Sequence, residues 1–266
     1  MATTKHETVD FDVTVNMARQ ALYRFAALSL VDPRAGSWQQ LRYAANDRLL
    51  FQAAALVRSL PEVRLVELGI GERPVELLDP GTVLQRLPKS HDALNAEFEN
   101  TFGLVVGSAC PPYETEYIAS KFTFQRSNSL ADINGFYEAF GLTIANGRAE
   151  RPDHVALELE FMASLLGLER RAISDHLDNR GELLTICRKA QVRFLKEHVA
   201  WWVPAFAKLL ARENEGGYYA AVGLFLAALI PAERALLHVD IQSRPIRPSR
   251  EESPDACQGC QLGSWS

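Results

Sequence analysis

Apolar residues recur at helical spacing along most of this chain, and the alternation of strand and helix patterns typical of a parallel sheet is missing. One run, residues 64–69, could form a short strand, but the sequence offers it no partner strand. We therefore predict an all-α fold, a single-domain helical bundle. Its helices are predicted over residues 11–30, 38–60, 90–102, 128–140, 152–171, 182–196, 204–210 and 218–238.

The two ends of the chain differ from this pattern. Residues 1–10 are predicted to be a flexible N-terminus, followed by a helical domain over residues 11–240. Residues 241–266 are rich in proline and serine and are predicted to be a disordered tail.

Charge and composition narrow the classes of partner. The 266 residues carry a formal net charge of −5 with a pI near 5.7, which argues against nucleic acid and suits a basic peptide. The start of the chain lacks the apolar core of a secretory signal. The most apolar stretch, Tyr218 to Ile230, is shorter than a membrane span. We expect a cytoplasmic protein without stable membrane association.

The predicted helix from Pro152 places a histidine and a carboxylate in its apolar face. His154 and Glu158 lie one helical turn apart among Val155, Leu159, Phe161 and Met162. Asp153 precedes them, where a helix N-terminus favours an acid, and its side chain is expected to be exposed. The pattern leaves two interpretations open, either a core histidine that is hydrogen-bonded to Glu158 or a pair with a function.

Two further features have both a structural and a functional interpretation. The prolines Pro111 and Pro112 stiffen a loop that presents Tyr113, Glu114 and Tyr117, which suits recognition of a basic, partly apolar ligand or simply a crossing loop on the core. The pair Phe98 and Phe102 can belong to the core or to an apolar groove.

Metal chemistry has little support in the sequence. A metal-dependent hydrolase could use His154, Glu158, Glu160 and His198, but a zinc helix of the His-Glu-x-x-His type requires histidine at position 158. Cys257 and Cys260 form a weak CxxC candidate in the tail, because Cys110 and Cys187 are not spaced as the second pair of a zinc site.

Several segments together resemble the TorD/DmsD/NarJ family of molybdoenzyme-specific chaperones. Over residues 15–238 they stand in the family's order: 21–28, 97–102, Pro111-Pro-Tyr-Glu-Thr-Glu-Tyr117, Phe136-Tyr-Glu-Ala-Phe-Gly-Leu142, Glu150-Arg-Pro-Asp-His154, Glu158-Leu-Glu-Phe-Met162, and 194–206. Thr101 and Thr115 depart from the family's usual Leu and Ser.

The resemblance implies a TorD/DmsD-like helical bundle and a chaperone rather than an enzyme. Such a protein binds the twin-arginine leader and the apo catalytic subunit of a molybdenum oxidoreductase. It assists insertion of molybdopterin guanine dinucleotide, without holding that cofactor permanently, as a monomer or a homodimer. The implied client-binding residues are Phe98, Phe102, Pro112, Tyr113, Glu114, Tyr117, Asp153, His154 and Glu158. A structural subunit retained in the mature oxidoreductase is the other non-enzymatic interpretation.

Overall fold

Helix α8, Val155–Ser174, lies at the centre of the molecule, and its apolar residues from Val155 to Leu166 are buried except for the half-buried Leu157. It packs on one side against α1, Thr3–Leu28, and on another against α9, Arg180–Phe194. The computed structural model describes residues 3–103, 109–119, 123–143, 150–174 and 180–241. Over these ranges it has eleven α-helices and no strand, which confirms the all-α prediction.

The other helices surround this centre. They are α2 Ser37–Ala44, α3 Arg48–Ser59, α4 Pro61–Arg64, α5 Pro80–Gln85, α6 His91–Phe102, α7 Thr123–Ala139, α10 Val203–Glu213 and α11 Tyr218–Leu237. Three 3₁₀ turns, Pro33–Ala35, Val75–Leu77 and Glu114–Tyr117, connect them. Helix α3 packs against α1, and α10 packs against α11.

Local capping explains several helix starts. Ser90 accepts a hydrogen bond from the backbone N–H of Ala93 at 3.2 Å, as predicted for the start of α6. The single helix predicted over residues 38–60 is wrong. It is split into α2 and α3, because Asp47 accepts a bond from the N–H of Leu49 and starts a new helix. Helix α1 begins eight residues before the predicted start, and the flexibility of residues 1–10 stays a prediction.

The start predicted for the central helix at Pro152 is also wrong. Residues 112–114 and 153–155 pair as extended backbone, through Glu114 N–H to Asp153 O and Val155 N–H to Pro112 O, both at 2.9 Å. These bonds use backbone groups that a helix from Pro152 would need for itself. The helix therefore begins at Val155, and Asp153 lies in the corner before it.

A π-turn joins α9 to the next helix. Residues Leu195–Val199 form it, where the sequence pattern predicts regular α-helix to Lys196. The turn adds one residue per hydrogen-bonded ring, and such turns occur often at functional sites. Helix α10 then begins with Pro204 in its first turn, as predicted.

Helix α11 is the most apolar element. The helix extends past Ile230 to Leu237, and by length and composition its 20 residues could cross a membrane. However, 78% of its most apolar window is buried inside the protein. A Cβ at Gly223 would lie 2.7 Å from the carbonyl oxygen of Ala207, so glycine permits the close approach of α10. The helix therefore serves as a wall of the core.

A buried ion cluster, which we term the core cluster, ties four helices together. Arg19 on α1 donates twice to Glu233 on α11, at 2.8 and 3.0 Å, and once to Gln191 on α9. Gln191 donates to Glu169 on α8, and Arg188 donates to the same carboxylate at 2.6 Å. Each buried carboxylate thus meets a guanidinium, which offsets the cost of burying it.

Candidate functional site

The predicted loop and the predicted helix start meet in one corner of the molecule. Tyr113 and His154 form an isolated antiparallel bridge, and their rings lie edge to face at 5.3 Å. We term the buried side chains behind this bridge the corner cluster; they are Glu114, Asp153, His154, Glu158 and His198. The structure therefore brings together two motifs that lie about 40 residues apart in the sequence.

Asp153 lies fully buried in this corner, so its predicted exposure is wrong. Its Oδ2 accepts bonds from the N–H of Thr115 at 3.1 Å and from the hydroxyl of Thr115 at 2.8 Å. Arg151 completes the set, with Nε 3.0 Å from Oδ1 and Nη2 2.8 Å from Oδ2. The carboxylate has a bidentate guanidinium partner and holds the loop against residue 153.

The guanidinium group of Arg151 is bound at the surface between Tyr113 and Asp153. Its Cζ lies 4.3 Å from the ring centroid of Tyr113, in cation–π geometry. It also donates to the hydroxyl of Thr115 at 2.5 Å and approaches Glu116 at 3.5 Å. The Arg151 side chain is 41% exposed, so the place it occupies is open to solvent.

His154 is a neutral histidine. Burial lowers the pKa of its imidazole from 6.5 to about 4, although the charge of Asp153 acts in the opposite direction. Its Nδ1 accepts a bond from the N–H of Ala156 at 3.2 Å, and its Nε2 lies 3.4 Å from Glu150. The hydrogen bond from His154 to Glu158, weighed as one interpretation of the sequence, is therefore not formed.

Glu158 is a buried carboxyl with an unusual partner. Its Oε2 accepts a bond from the indole N–H of Trp202 at 3.1 Å, and the side chain is fully buried. Burial raises the pKa of Glu158 well above 4.5, and the neighbouring charge and hydrogen bond of Glu114 raise it further. The raised pKa favours the protonated form of Glu158, whose hydroxyl can donate to the Glu114 carboxylate.

Glu114 is the centre of the corner cluster. Its Oε1 accepts from the indole N–H of Trp201 at 3.0 Å and from the hydroxyl of Ser129 at 3.2 Å. Its Oε2 lies 3.1 Å from Nδ1 of His198. Trp201 and Trp202, adjacent in sequence, thus hold the two adjacent glutamates.

The corner cluster reaches the surface through His198. Its Nε2 lies 3.0 Å from Oδ2 of Asp132, whose side chain is 45% exposed. Here a cavity of about 630 Å³ opens, with acids and amides in its lining and the apolar Ile118 and Trp201 beside them. The polar lining consists of Glu114, Gln125, Asn128, Ser129, Asp132, Glu197 and His198.

The phenylalanine pair lies beyond the corner cluster and connects to it through aromatic rings. Phe98 and Phe102 have centroids 4.9 Å apart, and Phe102, only 8% exposed, stacks on Phe206 at 6.4 Å. Phe206 contacts Trp202, which contacts Tyr117 at 5.1 Å. Phe102 is thus mainly a core residue, Phe98 is half-buried, and a groove beside them stays a prediction.

The ligands proposed for a hydrolase do not converge. His154 faces Glu150, Glu158 is bonded to Trp202, and Glu160 is exposed on α8. Among the described residues, the one group with metal-ligand spacing is Asp132, Glu197 and His198, which shares only His198 with that proposal. The hydrolase ligand set is therefore wrong. Cys257 and Cys260 lie outside the described residues.

Comparison with known proteins gives consistent matches. The family model described as nitrate reductase delta subunit matches residues 76–208, half of the chain. The selenate reductase assembly chaperone protein of Thauera selenatis is 31% identical over 192 residues, covering 70% of this chain and 87% of that protein.

Two further relatives carry similar names. The chaperone protein TorD of Photobacterium profundum is 27% identical over 176 residues, 64% of this chain and 78% of its own length. The chlorate reductase assembly chaperone protein of Ideonella dechloratans is 33% identical over 112 residues, 42% of this chain and 54% of its own length.

Proposed function

The chain belongs to the nitrate reductase delta subunit family, that of TorD and NarJ, and from this premise we propose that it is an assembly chaperone for a molybdenum-containing oxidoreductase. In this role it binds the twin-arginine leader and the apo catalytic subunit in the cytoplasm and keeps the subunit from export until it is complete. The family consists of assembly chaperones and not of catalysts, and the chain is not an enzyme.

The observation that carries the proposal is the match to the selenate reductase assembly chaperone along 87% of that protein's length. A likeness of that extent does not rest on one motif. The selenate and chlorate reductases named for two of the relatives indicate the kind of client, and the experiment below identifies the particular client of this chain.

The client surface that we propose lies around the bridge between Tyr113 and His154. Behind it, the buried Asp153 and Glu158 fix the loop and the helix start and do not meet solvent themselves. In front of it, Tyr113, Arg151 and Glu116 are partly exposed. We therefore assign the buried members of the predicted set to shaping the surface; they are Phe102, Pro112, Glu114, Tyr117, Asp153, His154 and Glu158.

The contacts of Arg151 indicate how the protein can bind an arginine of the leader. Arg151 sits between the Tyr113 ring and the Asp153 carboxylate, with the Thr115 hydroxyl as a third partner. A leader arginine that enters from solvent can take this place when Arg151 turns outward. The arginine then gains the bidentate carboxylate and the ring that guanidinium groups bind most strongly.

The apolar part of a leader requires a different surface. The half-buried Phe98, backed by the aromatic row behind Phe102, offers an apolar border for a short amphipathic helix. We propose that Phe98 contacts the leader and that Phe102 supports Phe98 from the core.

Cofactor insertion is the indirect part of the proposed role. Molybdopterin guanine dinucleotide carries a diphosphate, and the lining of the 630 Å³ cavity includes the acids Glu114, Asp132 and Glu197. Like charges would repel that diphosphate. We propose that the chaperone assists insertion by holding the client open, as a monomer or a homodimer, and does not bind the cofactor in this cavity.

The test is capture of the endogenous client. The tagged full chain, expressed in its native host, should retain a reductase catalytic subunit that still carries its leader. A synthetic leader peptide should bind the purified chain in titration calorimetry, and a twin-lysine peptide should bind more weakly because lysine lacks the bidentate fork. Capture of the chain within the exported, mature enzyme would favour the structural-subunit interpretation instead.

A further inference from the structure

A cation-binding geometry lies at the rim of the 630 Å³ cavity. Ligand atoms of Asp132 on α7 and of Glu197 and His198 in the π-turn all lie within 4.8 Å of one another. From this geometry we propose that Asp132, Glu197 and His198 bind a first-row divalent cation, with Zn²⁺ as the best-matched ion. The proposed site goes beyond the chaperone role and does not rest on it.

The donor set determines the class of ion. One imidazole nitrogen with two carboxylate oxygens suits Zn²⁺ and its neighbours, whereas Mg²⁺ and Ca²⁺ prefer sites made of oxygen alone. Three protein ligands leave a fourth position for water in tetrahedral geometry. The cavity supplies that position, because Asp132 and Glu197 face solvent while His198 is buried behind them.

The second nitrogen of His198 provides an independent indication. A histidine that binds a metal usually donates its other ring N–H to a carboxylate, which fixes the tautomer and the orientation of the ring. Here Nδ1 lies 3.1 Å from Glu114, which is 1% exposed and is itself held by Trp201. With Nδ1–H donating inward to Glu114, Nε2 can bind the cation in place of its present contact with Asp132 Oδ2 at 3.0 Å.

Arg193 is the competitor for this site. Its Nε lies 2.8 Å from Glu197, and its Nη2 lies 3.6 Å from Asp132, so one guanidinium neutralises both carboxylates. The Arg193 side chain is 58% exposed and can turn into solvent. Cation binding therefore displaces Arg193, and removal of this arginine should tighten binding.

The experiment uses the full chain with Cys257→Ser and Cys260→Ser, because the tail thiols could bind Zn²⁺ themselves. Titration calorimetry with ZnCl₂ should show one ion per chain, and Co²⁺ should give tetrahedral d–d absorption bands. Asp132→Asn with Glu197→Gln should weaken binding at least tenfold, and Arg193→Gln should tighten it several-fold. These three positions are exposed or half-buried, so the variants should fold, as circular dichroism will check.

A matched control comes from a histidine–acid pair elsewhere on the surface. Asp92, 3.4 Å from His91, is almost fully exposed, and Asp92→Asn should leave Zn²⁺ binding unchanged. The proposal is overturned if the chain without tail cysteines binds no Zn²⁺. It is equally overturned if binding survives Asp132→Asn with Glu197→Gln at full strength.

Discussion

The core cluster and the corner cluster, two of the buried polar clusters among the described residues, differ in how their charges are balanced. In the core cluster, Glu233 meets Arg19, and Glu169 meets Arg188, so acids and bases balance. In the corner cluster, Glu114 and Glu158 lie beside each other and are held by indole N–H groups and a histidine. Two adjacent buried carboxyls are costly unless one keeps its proton.

This difference distinguishes polar groups that are buried to stabilise the fold from polar groups that are buried as part of a functional site. The paired acids and bases of the core cluster join four helices and fix how these helices pack, and they do not line the 630 Å³ cavity. Adjacent acids with a shifted pKa are typical of functional sites, and here they lead through His198 to an open cavity. We therefore expect the core cluster to affect stability alone, and the corner cluster to affect binding and the response to pH.

The largest effect is expected in the core cluster. Glu233→Ala leaves Arg19 buried without its carboxylate, and removing one partner of such a pair costs about 3–5 kcal/mol. Urea denaturation followed by circular dichroism measures this loss. Leader affinity, corrected for the folded fraction, should not change; a specific loss of affinity would break the separation of the two clusters.

His154 should make the corner cluster sensitive to acid. The unfolded imidazole takes up a proton near pH 6.5, whereas burial lowers the folded pKa to about 4. The contribution to stability is therefore complete above pH 6.5 and is lost as pH falls toward 4, by about 2–3 kcal/mol. His154→Gln should remove most of this acid loss in denaturant melts at about pH 7 and about pH 4.5, which bracket that window.

An exposed histidine is the control for that experiment. The side chain of His91 is 41% exposed, and His91→Gln should therefore leave the acid response unchanged. Equal acid sensitivity in wild type and His154→Gln would show that another group governs it.

Two substitutions at the position that the Arg151 guanidinium occupies should have opposite effects on leader binding. Asp153→Asn should weaken leader binding by about 1–3 kcal/mol, because it removes the carboxylate that pairs with a guanidinium. Arg151→Met should tighten leader binding, because it removes the guanidinium that competes with a leader arginine. Asp153→Asn should also lower the thermal midpoint, since the carboxylate is buried, contrary to the sequence-based expectation of exposure. Calorimetry with the leader peptide measures both; weaker binding in Arg151→Met would assign the client to another surface.

Glu158→Gln tests the protonated carboxyl. Glutamine can accept from Trp202 and donate to Glu114, so stability at mildly acidic pH should change by no more than about 1 kcal/mol. The folded pKa of Glu158 is raised, so wild-type stability is full below pH 4.5 and falls as pH rises toward the folded pKa. The variant should therefore gain stability relative to wild type as pH rises above 4.5. A variant that loses stability relative to wild type as pH rises would mean that Glu158 is ionised in the folded protein.

The smallest effect is expected at the C-terminus. A chain that ends at Gln242 should melt with the same cooperativity and bind the leader equally, because the Pro/Ser-rich tail lies outside the helical pattern. A lost cooperative melt would overturn this expectation. Stoichiometric metal bound through Cys257 and Cys260 would instead assign the tail a function.

The sequence predicts the helices well because their apolar period is a local signal. Ser90 and Pro204 mark helix starts for local reasons, and both predictions are confirmed. Pro152 fails because the backbone around Asp153 pairs with a loop about 40 residues earlier, and that pairing has no local sequence signal.

The side-chain partners are less predictable still. Arg19 and Glu233 are 214 residues apart in sequence, and Glu158 bonds to Trp202 across 44 residues. The family resemblance groups Glu114, Asp153, His154 and Glu158 as one site, but their burial and their partners follow only from the packing. The sequence does not single out Asp132, Arg151 and the two tryptophans, because surface acids and corner aromatics are common in chains without such a site.

The π-turn at Leu195–Val199 makes the corner depend on the count of residues as much as on their identity. Loss of a single codon there would restore a regular helix and turn everything after it by about 100° about the axis. His198 and Trp202 would leave Glu114 and Glu158 while every one of these side chains was still encoded. A lineage could thus lose the corner through one small deletion and keep a helical bundle of nearly the same length.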